Sequence, residues 1–87
     1  MPFLYILQSE KTGRYYVGST NDLKRRLNEH NSGQTRSLSH QRPLMIVFFQ
    51  EYETMLLARR AEAKLKNFKS RKILDRIIKE GKINKGP

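Results

Sequence analysis

The period of the apolar positions changes along the chain, and each change marks an element. Residues 3–8 (FLYILQ) are apolar, aromatic and β-branched, too short for a helix, and predict a strand with Phe3, Tyr5 and Leu7 on one face. Residues 9–13 (SEKTG) have the polar, Gly-ended chemistry of a hairpin loop. Residues 14–19 return to a period of two, with Tyr16 and Gly18 on one face and Tyr15 and Val17 on the other. Gly18 carries no side chain, so a backbone or ligand can approach closely there.

The period then becomes helical. Thr20 or Asn21 can cap this first helix, with Asp22 in its first turn, where the macrodipole favours an anion. A stop is expected at Asn31-Ser32-Gly33. Residues 33–43 (GQTRSLSHQRP) lack an apolar period and predict an exposed, mobile loop. Residues 44–52 (LMIVFFQEY) are nearly all apolar, as expected of a central strand covered on both faces. Thr54 can cap a second helix reaching Phe68, with Ala58, Ala61 and Leu65 as its packed stripe. Ser70 can cap a third, over residues 71–80, whose apolar side is Ile73, Leu74, Ile77 and Ile78 and whose stop is Gly81. Residues 82–87 read as a short, frayed tail. The order strand, strand, helix, strand, helix, helix predicts an α+β fold, a small antiparallel sheet flanked by helices.

Composition narrows the partners. Eighteen Lys and Arg against eight Asp and Glu give a net charge of +10. Such a field draws polyanions, nucleic acid first and anionic membrane second. No cysteine is present, which excludes disulfide-linked partners, thiolate metal sites and cysteine nucleophiles. No apolar run approaches the roughly 20 residues that span a bilayer, and the N-terminus lacks a basic leader, so a cytoplasmic protein is expected. With 87 residues, a single domain spanning 1–87 is expected.

Two packed stripes carry charge where apolar residues belong. Leu23, Arg26, Leu27 and His30 stand at i, i+3, i+4 and i+7 of the first helix, so Arg26 and His30 share a stripe with two leucines. Either the stripe lines a site, or Arg26 snorkels past the core and His30 is a satisfied partner at the helix end. Glu62 falls beside Ala58 on the second helix, which holds no other acidic residue. A carboxylate there needs a partner, an Arg nearby or a bound cation. With Tyr5 and Tyr16 from the two early strands, five residues supply the parts of phosphodiester hydrolysis: Tyr5, Tyr16, Arg26, His30 and Glu62. These are a metal-binding carboxylate, a cation for the phosphate, and hydroxyl or imidazole groups to move a proton.

The chain resembles the GIY-YIG nucleases, whose signature is a GIY triplet, about ten residues, a YIG triplet, an Arg on the next helix and a Glu on a later one. Phe3-Leu4-Tyr5 stands at the first triplet and Tyr16-Val17-Gly18 at the second, ten residues apart. Ser19-Thr20-Asn21-Asp22-Leu23 follows, then Arg26 directly before Leu27, His30 four residues on, and Glu62 within Ala61-Glu62-Ala63. Phe3 and Leu4 replace the usual Gly and Ile but leave the Tyr in place. Similarity is nearest to the small stand-alone bacterial members, which are similar to the N-terminal nuclease domain of the repair excinuclease.

The resemblance implies a three-stranded antiparallel sheet among helices. It implies a metal-dependent endonuclease acting on DNA, with a place in repair or recombination. Glu62 would hold one divalent cation, Mg²⁺ or Mn²⁺, and Arg26 would grip the scissile phosphate. Tyr5, Tyr16 and His30 would share the base and water-positioning roles, in an order the residues leave open. The alternative is a nucleic-acid-binding module that keeps the fold without cutting, alone or beside a protein partner. A ribosome-associated or RNA-binding reading lacks an aromatic stacking platform and a GXXG loop.

Overall fold

A computed structural model of the protein describes residues 1–32, 42–68 and 71–81. The strands β1 (Phe3–Ser9), β2 (Tyr15–Thr20) and β3 (Leu44–Glu51) and the helices α1 (Leu23–Asn31), α2 (Met55–Phe68) and α3 (Arg71–Glu80) follow in the order β1, β2, α1, β3, α2, α3. The sheet is antiparallel with strand order β2-β1-β3. This is the α+β fold with a three-stranded sheet that the apolar pattern predicts.

Side chains alternate across the strands, so each face of the sheet builds its own core. On one face Tyr5, Leu7 and Leu44 are buried with Tyr16, Ile46, and Leu23 and Leu27 of α1. On the other, Leu4, Ile6, Phe48, Leu65 and Ile77 are buried under α2 and α3. Burying such side chains is worth roughly 1.5–3 kcal/mol each, so most of the driving force sits on these two faces.

The central strand is β1, in contrast to the expectation for residues 44–52. Leu4 and Ile6 are fully buried, whereas Met45 and Phe49 of β3 are 43% and 56% exposed. The five-residue hairpin lays β2 beside β1, and β3 takes the other side. The long apolar run of β3 has a different cause, a bulge. Ile6 pairs with Phe48 but Leu7 pairs with Ile46, so Val47 is the extra residue. The skip switches faces: Phe48 enters the α2/α3 core while Ile46 and Leu44 enter the α1 core. Phe49 packs edge-on against Phe3 at 6.0 Å.

Local chemistry sets the ends. At the hairpin the Ser9 hydroxyl accepts from the backbone N–H groups of Lys11 (3.1 Å) and Thr12 (3.0 Å), and Gly13 takes φ 77°. The cap of α1 is Asp22, not Thr20 or Asn21. Asp22 is extended at φ −147°, and its carboxylate accepts from the Arg25 N–H at 3.0 Å. Thr20 instead accepts from the Asp22 N–H. At the far end of α1, the Asn31 amide mimics a strand: it donates to the Leu44 carbonyl (3.0 Å) and accepts from the Leu44 N–H (2.7 Å). Thr54 caps α2 through the Leu57 N–H at 3.2 Å, and the Gly81 N–H closes α3 onto the Ile77 carbonyl at 2.9 Å.

The Ser70 cap and the tail over 82–87 lie outside the described residues, as does the loop apart from Arg42 and Pro43. Among the described residues no helix is long and apolar enough to cross a membrane.

Candidate active site

Tyr5 sits at the middle of β1, directly opposite Gly18 of β2, and projects to the α1 face. Its ring lies over Gly18 so closely that a Cβ there would collide with the Tyr5 Oη and Cζ atoms. Gly18 is therefore needed because the Tyr5 ring takes the space of its side chain. The Tyr5 hydroxyl stands 3.3 Å from His30 Nε2, with the two rings tilted by 55°.

His30 comes from the last turn of α1 and is only 4% exposed. Burial lowers its pKa below the ordinary imidazole value, and the nearby Arg26 guanidinium lowers it further; Glu29 opposes this weakly. Both the burial and the neighbouring guanidinium disfavour the imidazolium, so the site favours the neutral ring.

Arg26, one turn earlier, has its pKa raised, first by its hydrogen bond with the Tyr5 phenol and then by Glu29. Its Nη1 lies 3.4 Å from the Glu29 carboxylate. Arg25 is exposed and reaches Asn21 Oδ1 at 3.4 Å, away from Tyr5. The helical stripe thus places one arginine in the site and the other on the surface.

Glu62 reaches the same place from the opposite face of the sheet. Alternation along β2 sends Tyr16 and Gly18 toward α1, and Ser19 toward α2. The Ser19 hydroxyl donates to Glu62 Oε1 at 2.6 Å, and Lys66 pairs with Oε2 at 2.6 Å. Of the two alternatives for Glu62, an arginine or a bound cation, the ion pair is the one seen among the described residues, with Lys66 one turn on in place of an arginine.

An open cleft of about 690 Å³ wraps the free edge of β2 and joins the two faces. Tyr5, Tyr16, Arg26, His30 and Glu62 all line it. So do Ser19, which the motif includes without a role, and Lys66, Arg14 and Arg71, which neither the apolar pattern nor the motifs single out. The i, i+4 spacing of Glu62 and Lys66 is a signal that points to that pair. Ser19 has no comparable signal, because its contact depends on how β2 meets α2.

Glu62 is the carboxylate of the cleft, and among the described residues no cluster of three or more His, Asp or Glu could cage a metal. Ser19 and Lys66 take the two Glu62 oxygens, so a cation such as Mg²⁺, which keeps several waters and takes other ligands from substrate phosphates, would bind Glu62 in place of the Lys66 ammonium.

The sequence matches the family model of the GIY-YIG catalytic domain over residues 1–74. A UPF0213 protein of Listeria innocua is 37% identical over 79 residues, 90% of this chain and 86% of that protein. One of Streptococcus agalactiae is 35% identical over 81 residues, 92% of this chain and 90% of that protein. The solution NMR structure of the UPF0213 protein of Bacillus halodurans is similar at a TM-score of 0.56 and 29% identity, covering 93% of this chain and 87% of that one. With the signature tyrosines, arginine and glutamate lining one cleft and the family match spanning residues 1–74, the chain belongs to the GIY-YIG nuclease family.

Proposed function

We propose that the protein is a divalent-metal-dependent endonuclease that hydrolyses DNA phosphodiesters. One observation carries this reading: a guanidinium, a phenol, an imidazole and a carboxylate from β1, α1 and α2 converge on a single cleft. The net charge of +10 suits a polyanionic substrate.

Arg26 offers its planar fork of donors to the scissile phosphate and to the charge that builds there. Tyr5 beside Arg26 holds the attacking water. The water gives its proton to the Tyr5 oxygen as Tyr5 passes its own to His30 Nε2. His30 is 3.3 Å away, and the neutral ring that the site favours is the form that accepts one. Tyr16 lines the same wall and positions the water. The new P–O bond forms as the bond to the leaving oxygen breaks. Glu62, oriented by Ser19, would hold the divalent cation, which supplies Lewis-acid stabilisation of the leaving oxygen.

The test is incubation with branched, nicked and single-stranded DNA, with Mg²⁺ or Mn²⁺ and with chelator. Glu62→Gln keeps the shape of the side chain and removes its charge. We expect cleavage with metal only, and a fall of about two orders of magnitude or more in the variant. Undiminished cleavage by Glu62→Gln would remove Glu62 as the metal ligand. DNA binding without cleavage under every condition would leave a binding module that keeps the nuclease fold.

A further inference from the structure

The α3 end of the cleft holds charge that hydrolysis at Arg26 does not use. Arg14, at the end of the hairpin, and Arg71, at the start of α3, line it with Tyr15. The Arg71 guanidinium lies over the Tyr15 ring, 4.7 Å from its centroid. The ring is itself anchored, since its hydroxyl donates to Asp75 Oδ1 one turn further along α3. The hairpin lies close by, since a Cβ built at Gly13 would stand 3.8 Å from Arg71 Nη2, an ordinary packing distance. Arg71 is thus placed by its own helix and by the anchored Tyr15 ring. A guanidinium fixed in this way loses little rotamer entropy when it binds an anion.

The kind of ligand follows from what is covered. Tyr15 has Arg71 over its ring and packs on the α2/α3 core, so a nucleobase has no open platform there. The chemistry on offer is donor-rich positive charge, Arg14 and Arg71, against the Asp75 carboxylate that already accepts from Tyr15. That suits a backbone phosphate and not a base.

We propose that Arg71 and Arg14 form a phosphate subsite for the nucleic-acid strand whose scissile phosphate lies at Arg26, an inference that rests on the nuclease reading. A strand laid along the edge of β2 meets Arg26 at one end of the cleft and Arg71 at the other. The contact reads charge, so it is independent of base sequence.

The test measures binding of a fluorescent DNA duplex by anisotropy across a salt series. Glu62→Gln with chelator is the background, and the duplex is checked for cleavage after each measurement. Arg71→Ala and Arg14→Ala are compared with Arg25→Ala, which loses the same charge outside the cleft. Each cleft variant is expected to bind several-fold more weakly on unrelated sequences alike. Each should also flatten the log–log salt slope by about 0.9, one phosphate contact. Arg25→Ala should leave the slope unchanged. Arg14 lies in the hairpin connection and keeps the test informative if Arg71→Ala loosens α3. Parental slopes in both cleft variants, or an equal loss in Arg25→Ala, would overturn the subsite and leave the nuclease reading standing. Absence of salt-dependent DNA binding by the background protein would overturn both.

Discussion

At Gly18, one absent Cβ decides how the site is assembled. Across the β1–β2 ladder, an alanine would put its Cβ against the oxygen and ring carbon of Tyr5. Tyr5 is 5% exposed and its hydroxyl faces His30, so the ring cannot swing aside without leaving its partners. Gly18→Ala is therefore expected to cost about 1–3 kcal/mol, the usual range for overpacking. It should also slow single-turnover cleavage, because the phenol leaves Arg26 and His30. Urea unfolding reads the first effect and a DNA cleavage assay the second. Adding Tyr5→Leu to Gly18→Ala relieves the collision and should restore part of the stability but none of the rate. Parental stability and rate in Gly18→Ala would show that the ring does not need the space.

Among the elements, α1 is docked by its last turn: Asn31 bonds to β3, while buried His30 faces Tyr5 of β1. Because the folded pKa of His30 is depressed, the folded state favours the neutral ring. Its contribution is full above the unfolded value of about 6.5, and is lost as pH falls through that value toward the folded one. Thermal unfolding between pH 7.5 and 5 should show this fall, and His30→Gln should flatten it; an identical fall in that variant would exclude His30 as its source. The pattern of the sequence foretells all six elements to within a residue or two, because each switch of period is local. The place of β3 is not local. A strand covered on both faces and an edge strand with a bulge at Val47 present the same apolar run, and only pairing with β1 separates them. The α1 cap is hidden for a similar reason: Thr20, Asn21 and Asp22 all have capping chemistry, and the backbone angle at Asp22 decides. Tyr5 and Tyr16 are ordinary strand residues that the triplet resemblance picks out, while Arg26, His30 and Glu62 stand out because charge or an imidazole interrupts a packed stripe. Ser19 does not, since a serine in a strand is ordinary until α2 lies across it.

On the scale of the whole molecule, two sources of affinity for DNA compete, and they can be separated. A net charge of +10 attracts phosphate wherever it lies, so any lost cation weakens encounter by a similar small amount. A built site acts through position. Arg25 and Arg26 carry the same charge one residue apart, about 100° around α1. Arg26 lines the cleft beside Tyr5, and Arg25 faces solvent and Asn21. If the overall field were the whole of the interaction, Arg25→Ala and Arg26→Ala would lower affinity alike and leave any bound-state rate unchanged. If Arg26 touches the reacting phosphate, its contact strengthens as charge builds in the transition state. Arg26→Ala should then slow single-turnover cleavage by roughly 10²–10³ with little loss of affinity, while Arg25→Ala cuts near the parental rate. Arg26→Lys should recover only part of the loss, because an ammonium cannot reproduce the two-pronged grip on a phosphate. Equal rates for the two alanine variants at saturating protein would refute the catalytic role of Arg26 and leave the field as the basis of binding.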